Sequence, residues 1–233
     1  MHVAKTASVA LMLFALSACV PPPTIRDSQS AAIGISMGVT APVPLFRFRP
    51  DKVYFVTAER KEDLYTQGRM VESNYVKFNR AYLLNALPGY YVAVAAHHKI
   101  ESRKTTYHYK TFFTQEVVER TAVSVDPGAI AYMGDYVVNQ AGDLTNPDEA
   151  QINFMPLVDR TALLRMGGTK EAIMEGVAAG VAGGGFSYSG LLGEANRDRR
   201  AEETFLEKAM DDLRDGGWSG IVQQRIDALR LNQ

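Results

Sequence analysis

Cys19 carries the only thiol of the 233 residues, and four histidines carry the only imidazoles. A thiolate is a nucleophile or metal ligand, and a neutral imidazole is a general base or metal ligand. With His2 at the extreme N-terminus, His97, His98 and His108 remain. His97 and His98 are adjacent, so on a strand they point to opposite faces and only one can share a face with His108. His97 and His108 are thus the pair to consider for Zn²⁺ or Cu²⁺, two ligands without an evident third. The alternative is surface histidines at a turn, and neither metal nor cofactor is expected. The sequence holds no G-x-S-x-G elbow, no H-E-x-x-H, no G-x-x-x-x-G-K-[ST] and no G-x-G-x-x-G following a strand. Gly183-Gly184-Gly185 lacks the lysine that would hold a phosphate. Glu202, Glu203, Glu207, Asp211 and Asp212 read as the solvated face of a helix, not as acid–base pairs. The expectation is a protein without catalysis; carboxylates meeting from separate strands, a cryptic hydrolase, form the remaining alternative.

The place of the cysteine is more informative than its chemistry. Lys5 is the only charge before Arg26, and Ala7 to Leu16 reads ASVALMLFAL. A basic start, a short apolar core and small residues make a secretory signal peptide over residues 1–18. Ten residues cover about half of a roughly 30 Å hydrocarbon layer, too little for a permanent span. Leu16-Ser17-Ala18-Cys19 resembles the bacterial lipobox, in which a large aliphatic residue and two small ones precede a cysteine. The resemblance implies a diacylglyceryl group on Cys19, cleavage before it and acylation of the new N-terminus. Val20, where aspartate would favour inner-membrane retention, implies the outer membrane. A lone thiol exported to an oxidising compartment is thereby consumed.

The elements that must carry the rest follow from composition and periodicity. The chain is 46% hydrophobic and 22% charged, an ordinary globular balance, and without disulfides it needs a real core. Residues 45–125 hold 13 Lys/Arg against 8 Asp/Glu, and residues 126–233 hold 10 against 17. Two solvated faces explain this; a basic module meeting anionic lipid or an acidic partner is the sharper reading. Val20 to Ser30 (VPPPTIRDSQS) reads as a proline-rich tether, giving a lipidated and extended segment over residues 19–30, with an ordered N-terminal arm on the domain as the alternative.

Residues 31–139 read as an antiparallel β domain. Runs of β formers or two-residue alternation span Lys52–Ala58, Tyr75–Leu84, Tyr90–Ala96, Tyr107–Phe113, Val117–Val125 and Ile130–Val138. Pro88-Gly89, Glu101 to Thr105 and Asp126-Pro127-Gly128 supply the turns between them. The fold class expected is α+β, an antiparallel β-sandwich or partly open barrel followed by a helical C-terminal part. Leu87-Pro88-Gly89-Tyr90-Tyr91 and Val125 to Gly134 resemble two turn-and-strand elements of the β-sandwich in small uncharacterised bacterial envelope lipoproteins. That resemblance implies a fold and no activity.

Residues 140–175 read as a mixed connector, with a helix start at Asn146-Pro147-Asp148-Glu149. Residues 176–193 (GVAAGVAGGGFSYSGLLG) hold no charge. Their expected state is a flexible loop or linker, with a closely packed helix or a membrane-inserting or oligomerising hairpin as alternatives. In the last case Gly176, Gly180 and Gly184 would make the subunit or membrane contact. Residues 198–231 read as two C-terminal helices, from the apolar stripe Ala201, Phe205, Ala209, Leu213 and from Ser219 as a cap. Trp218 is expected to wedge both onto the sheet.

Together these readings describe a lipid-anchored bacterial envelope protein in the outer membrane, facing the periplasm, that works as a binding or structural module. The alternative is an oligomerising component of an envelope assembly. Partners would be the membrane through its lipid anchor and an envelope protein or anionic lipid; nucleic acid is excluded by compartment.

Overall fold

β1 (Ala31–Thr40) is the strand on which the fold is organised, with nine of its ten residues buried. Ile33, Ile35, Met37 and Val39 point to one side, and Ala32, Gly34, Ser36 and Gly38 to the other. The small side admits close neighbours: a Cβ at Gly34 would overlap the ring of Phe205. The computed structural model describes residues 20–41, 47–57, 59–61, 64–66, 70–101, 104–143 and 185–231.

Among the described residues twelve further strands follow: β2 (Arg47–Phe48), β3 (Lys52–Thr57), β4 (Glu59–Lys61), β5 (Leu64–Thr66), β6 (Met70–Glu72), β7 (Tyr75–Lys77), β8 (Arg80–Ala86), β9 (Gly89–Glu101), β10 (Thr106–Phe113), β11 (Val123–Val125), β12 (Ile130–Asp143) and β13 (Gly185–Asn196). Eleven form one sheet in the order β6-β3-β9-β10-β13-β12-β1-β8-β7, with β11 added to β9 and β2 to β1; β4 and β5 pair separately. β1 runs parallel to β12 and β10 parallel to β13. The sheet is therefore mixed, which corrects the antiparallel expectation, and it curls into a half-barrel where a sandwich was one expected form.

The curl has a local cause. The two edge strands, β6 and β7, are separated in sequence only by Ser73 and Asn74. Ser73 bonds to β3, its amide donating to the Val53 carbonyl at 2.8 Å and its hydroxyl accepting from the Val53 amide at 3.0 Å. Asn74 bonds to β8, its side chain accepting from the Leu84 amide and donating to the Leu84 carbonyl, both at 2.8 Å. Consecutive Cα atoms lie about 3.8 Å apart, so these two residues draw opposite edges of the sheet together. One side of the curl encloses Ile33, Ile35, Met37, Val53, Phe55, Val94, Phe113 and Val138. The other side, at β1, β8 and β12, is covered by α2 (Arg199–Asp212) and α3 (Ser219–Leu231) through Phe205, Leu206, Leu213, Trp218 and Val222. Asp198 caps α2 by accepting from the Ala201 amide at 2.7 Å, and Gly217 makes the left-handed turn before α3.

Several expectations give way. Tyr75 to Leu84 is not one strand but the β7–β8 hairpin, because Phe78 adopts φ 55° and turns the chain between Lys77 and Arg80. Val117 does not continue a strand; it lies on the one-turn helix α1 (Gln115–Arg120) with Val118, and both are buried. Adjacent buried valines suit a helix, since a strand would send them to opposite faces. α1 fills the gap between β10 and β11, which pair with the same edge of β9, and the Thr121 hydroxyl accepts from the unpaired Ala93 amide there at 2.9 Å. The uncharged stretch expected as a linker is strand β13 from Gly185 onward. Gly190 is required there: a Cβ would meet Val138 Cγ1 at 2.7 Å and Thr111 Cγ2 at 2.9 Å. Gly176, Gly180, Gly184, the helix start at Asn146 and the lipobox residues Leu16, Ser17, Ala18 and Cys19 lie outside the described residues.

Candidate functional site

The proline-rich segment is not a free tether. Pro22 is buried, and the Trp218 indole nitrogen donates to the Pro23 carbonyl at 2.7 Å. The Ile25 amide donates to the Gly216 carbonyl at 3.4 Å, and Ile25 packs against the helical core. Asn85 grips the segment from the end of β8: its side-chain amide donates to the Thr24 carbonyl at 2.9 Å and its oxygen accepts from the Arg26 amide at 3.0 Å. Asn85 has φ 60°, a left-handed conformation that asparagine tolerates better than most residues. Trp218 is fully buried, as expected of a wedge, and its indole N–H also finds its partner in this arm.

A charged clamp fixes α2 to the sheet. Arg80 on β8 donates from Nε to one Asp212 carboxylate oxygen at 2.6 Å and from a terminal nitrogen to the other at 3.0 Å. The Tyr82 hydroxyl adds a 2.8 Å bond to the same carboxylate, and the Tyr75 hydroxyl donates to the Asp212 carbonyl at 3.0 Å. Asp212 was expected on the solvated face but is only 8% exposed. The signal was present: Asp212 lies three residues after Ala209 and seven after Phe205, on the apolar stripe itself. Burial, followed by the Asp212 charge, pushes the Tyr82 hydroxyl above the usual phenol range. Beside the clamp, a cleft of about 450 Å³ opens between α2 and the sheet. Ser36, Asn79, Asp135, Asp198, Arg200 and Lys208 line it, giving both charge signs and amide groups to a small polar ligand.

The histidines lie at the other end of the sheet. β9 extends through them to Glu101, so they stand on strands and not in a turn. His97 faces His108 across the β9–β10 pair, with Nε2 and Nδ1 3.1 Å apart. His98 occupies the opposite face and is 1% exposed, which corrects its assignment to the surface. Its ring stacks on Phe48 at 4.5 Å and on Tyr109 at 4.9 Å, and Tyr109 stacks on Phe186 at 5.1 Å. Neither nitrogen of His98 has a hydrogen-bond partner among the described residues. Burial, then the neighbouring His97, lowers its pKa to about 4. Burial also lowers the His97 pKa, with His108 adding to the effect. Among the described residues no three His, Cys, Asp or Glu side chains converge as a metal-ligand set. Phe48 and His98 lie on strands far apart in the sheet order, so this stack closes the curl at that end.

Compared with protein-family models, with curated proteins and with solved structures, the chain finds no match.

Proposed function

We propose that this chain is a lipid-anchored bacterial envelope protein, held in the outer membrane by acyl groups on Cys19 and facing the periplasm. Its body then works as a binding or structural module without catalysis. The observation that carries the reading is the run Leu16-Ser17-Ala18-Cys19 behind a short apolar segment, with the chain's single thiol in the acceptor position. Pro22, three residues after Cys19, is buried, so the segment that would follow a processed N-terminus is docked on the body, which fits this reading. The cleft beside α2 supports binding of small polar or charged groups. Partners under this reading are the membrane itself and an envelope protein or anionic lipid.

Expression in a bacterium, membrane fractionation and mass spectrometry of the N-terminal peptide test it. The expected product starts at Cys19 with acyl chains attached, and Cys19→Ala leaves the protein unacylated and out of the membrane fraction. A chain retaining residues 1–18, or an unmodified Cys19 in the mature protein, refutes the reading.

A further inference from the structure

The docked arm sets which end of the body meets the bilayer. Two residues, Val20 and Pro21, separate Cys19 from buried Pro22, and the three steps reach at most about 11 Å in an extended chain. Beyond Pro22 the chain is no spacer, since Pro23, Thr24, Ile25 and Arg26 are all bonded to Trp218, Asn85 or Gly216. A flexible tether would let the domain tumble above the membrane; a clamped arm does not.

The same end gathers the start of β1, the end of β8, the start of β9 and the Asp126–Gly128 turn. A Cβ at Gly128 would stand 3.6 Å from the Ser28 carbonyl, and the Ala32 amide donates to the Ala129 carbonyl at 2.9 Å. The exposed large apolar side chains here are Val20, 77% exposed, and Leu87, 70% exposed. Leu87 is two residues from Asn85, the residue that grips the arm. β9 starts beside this end and runs away from it, so Lys99 lies about 33 Å along the strand from Gly89 at roughly 3.3 Å per residue. His97, His98, His108 and the aromatic stack sit at that far end.

Resting on the lipid-anchor reading, we infer that the phospholipid headgroup layer contacts the arm end of the half-barrel at Val20 and Leu87, and that the histidine and aromatic end is displayed away from the bilayer. The anchor is thus also an orienting device. Partners in the periplasm would meet the far end and the flank of α2 first.

The test uses the acylated full-length protein reconstituted into phosphatidylcholine–phosphatidylglycerol vesicles carrying a headgroup nitroxide lipid. Acylation blocks Cys19, so a cysteine introduced by Leu87→Cys or Lys99→Cys is the only thiol open to a fluorophore. Both side chains are exposed, and neither change removes a buried group. Nitroxide quenching at least threefold stronger at position 87 than at 99 is expected. Equal quenching, or stronger quenching at 99, on protein that sediments with the vesicles overturns the orientation while leaving the anchor intact. Failure to sediment, with no acyl mass on Cys19, overturns the anchor itself. In a second pair of proteins, Asn85→Ala with Trp218→Phe removes three of the arm's four bonds to the body, and the quenching ratio between positions 87 and 99 should fall toward unity with the circular dichroism unchanged. An unchanged ratio overturns these bonds as the cause of the orientation.

Discussion

Asp212 and His98 are both polar side chains enclosed by the fold, 8% and 1% exposed, and they are held in opposite ways. Asp212 meets a bidentate guanidinium and a tyrosine hydroxyl, so its charge is compensated where it sits. Among the described residues His98 stacks on Phe48 and Tyr109 and has no hydrogen-bond partner. An imidazole without a partner avoids the desolvation cost of a charge by remaining neutral, which is why its pKa falls to about 4. The helix-bearing side of the sheet is therefore fastened by charge, and the far end is fastened by stacking that tolerates no charge.

Removing one half of the clamp tests the first mode most severely. Asp212→Ala leaves the Arg80 guanidinium buried without its counter-charge and should cost about 3–5 kcal/mol in urea unfolding. Replacing both partners, Arg80→Met with Asp212→Leu, removes the stranded charge and should recover most of that loss. If the double variant is no more stable than Asp212→Ala alone, the clamp is not acting as an ion pair and the contrast with His98 collapses.

His98→Phe tests the second mode through pH. The folded-state pKa of about 4 lies below the ordinary 6.5, so between these values the unfolded chain binds the proton and the folded one does not. Stability from a neutral His98 is complete above pH 6.5 and is lost as the pH falls toward 4. The loss by pH 5 is about 2 kcal/mol. Phenylalanine keeps a ring against Phe48 and Tyr109 and cannot take up a proton. Unfolding at pH 8 and pH 5 should therefore show an acid loss smaller by about that amount in the variant. The same loss in both proteins would place the acid sensitivity elsewhere.

How much of this could be read from the sequence depends on how local each feature is. Lys52–Thr57 and Thr106–Phe113 were legible because their alternation is intrinsic, and α2 was legible because its apolar stripe and Asp198 cap lie within one turn pattern. β1 carried no such mark. Its Gly34, Ser36 and Gly38 look like loop residues until Phe205 and Arg47 lie against the two glycines. β13 was read as a linker for the same reason, since Gly190 makes sense only once Val138 and Thr111 flank it. The arm was read as a spacer because three prolines favour an extended chain, and an extended chain can also lie in a groove. Trp218 and Asn85, the residues that decide between those states, are 195 and 61 positions away from their arm partners. At the candidate sites strand geometry alone had only one of His97 and His98 able to face His108; that it is His97 depends on the β9–β10 register. The burial of His98 was not legible, because Phe48 arrives from the far side of the curl.

Tyr82→Phe is the gentlest way to separate the two modes. The change deletes one hydrogen bond to the Asp212 carboxylate and leaves both Arg80 contacts and the ring packing on Phe205 in place. A hydrogen bond to a charged group is worth about 1.5–3 kcal/mol, and the remaining guanidinium bonds should hold the observed cost near the lower end. The hydroxyl stays protonated throughout the neutral and mildly acidic range, because burial and then the Asp212 charge raise its pKa. Its loss should therefore lower unfolding stability equally at pH 5 and pH 8, in contrast to His98→Phe, whose effect changes across that interval. A cost that appears at only one of the two pH values would mean that the hydrogen bond is lost across that interval, and the clamp would then be no less sensitive to acid than the stack.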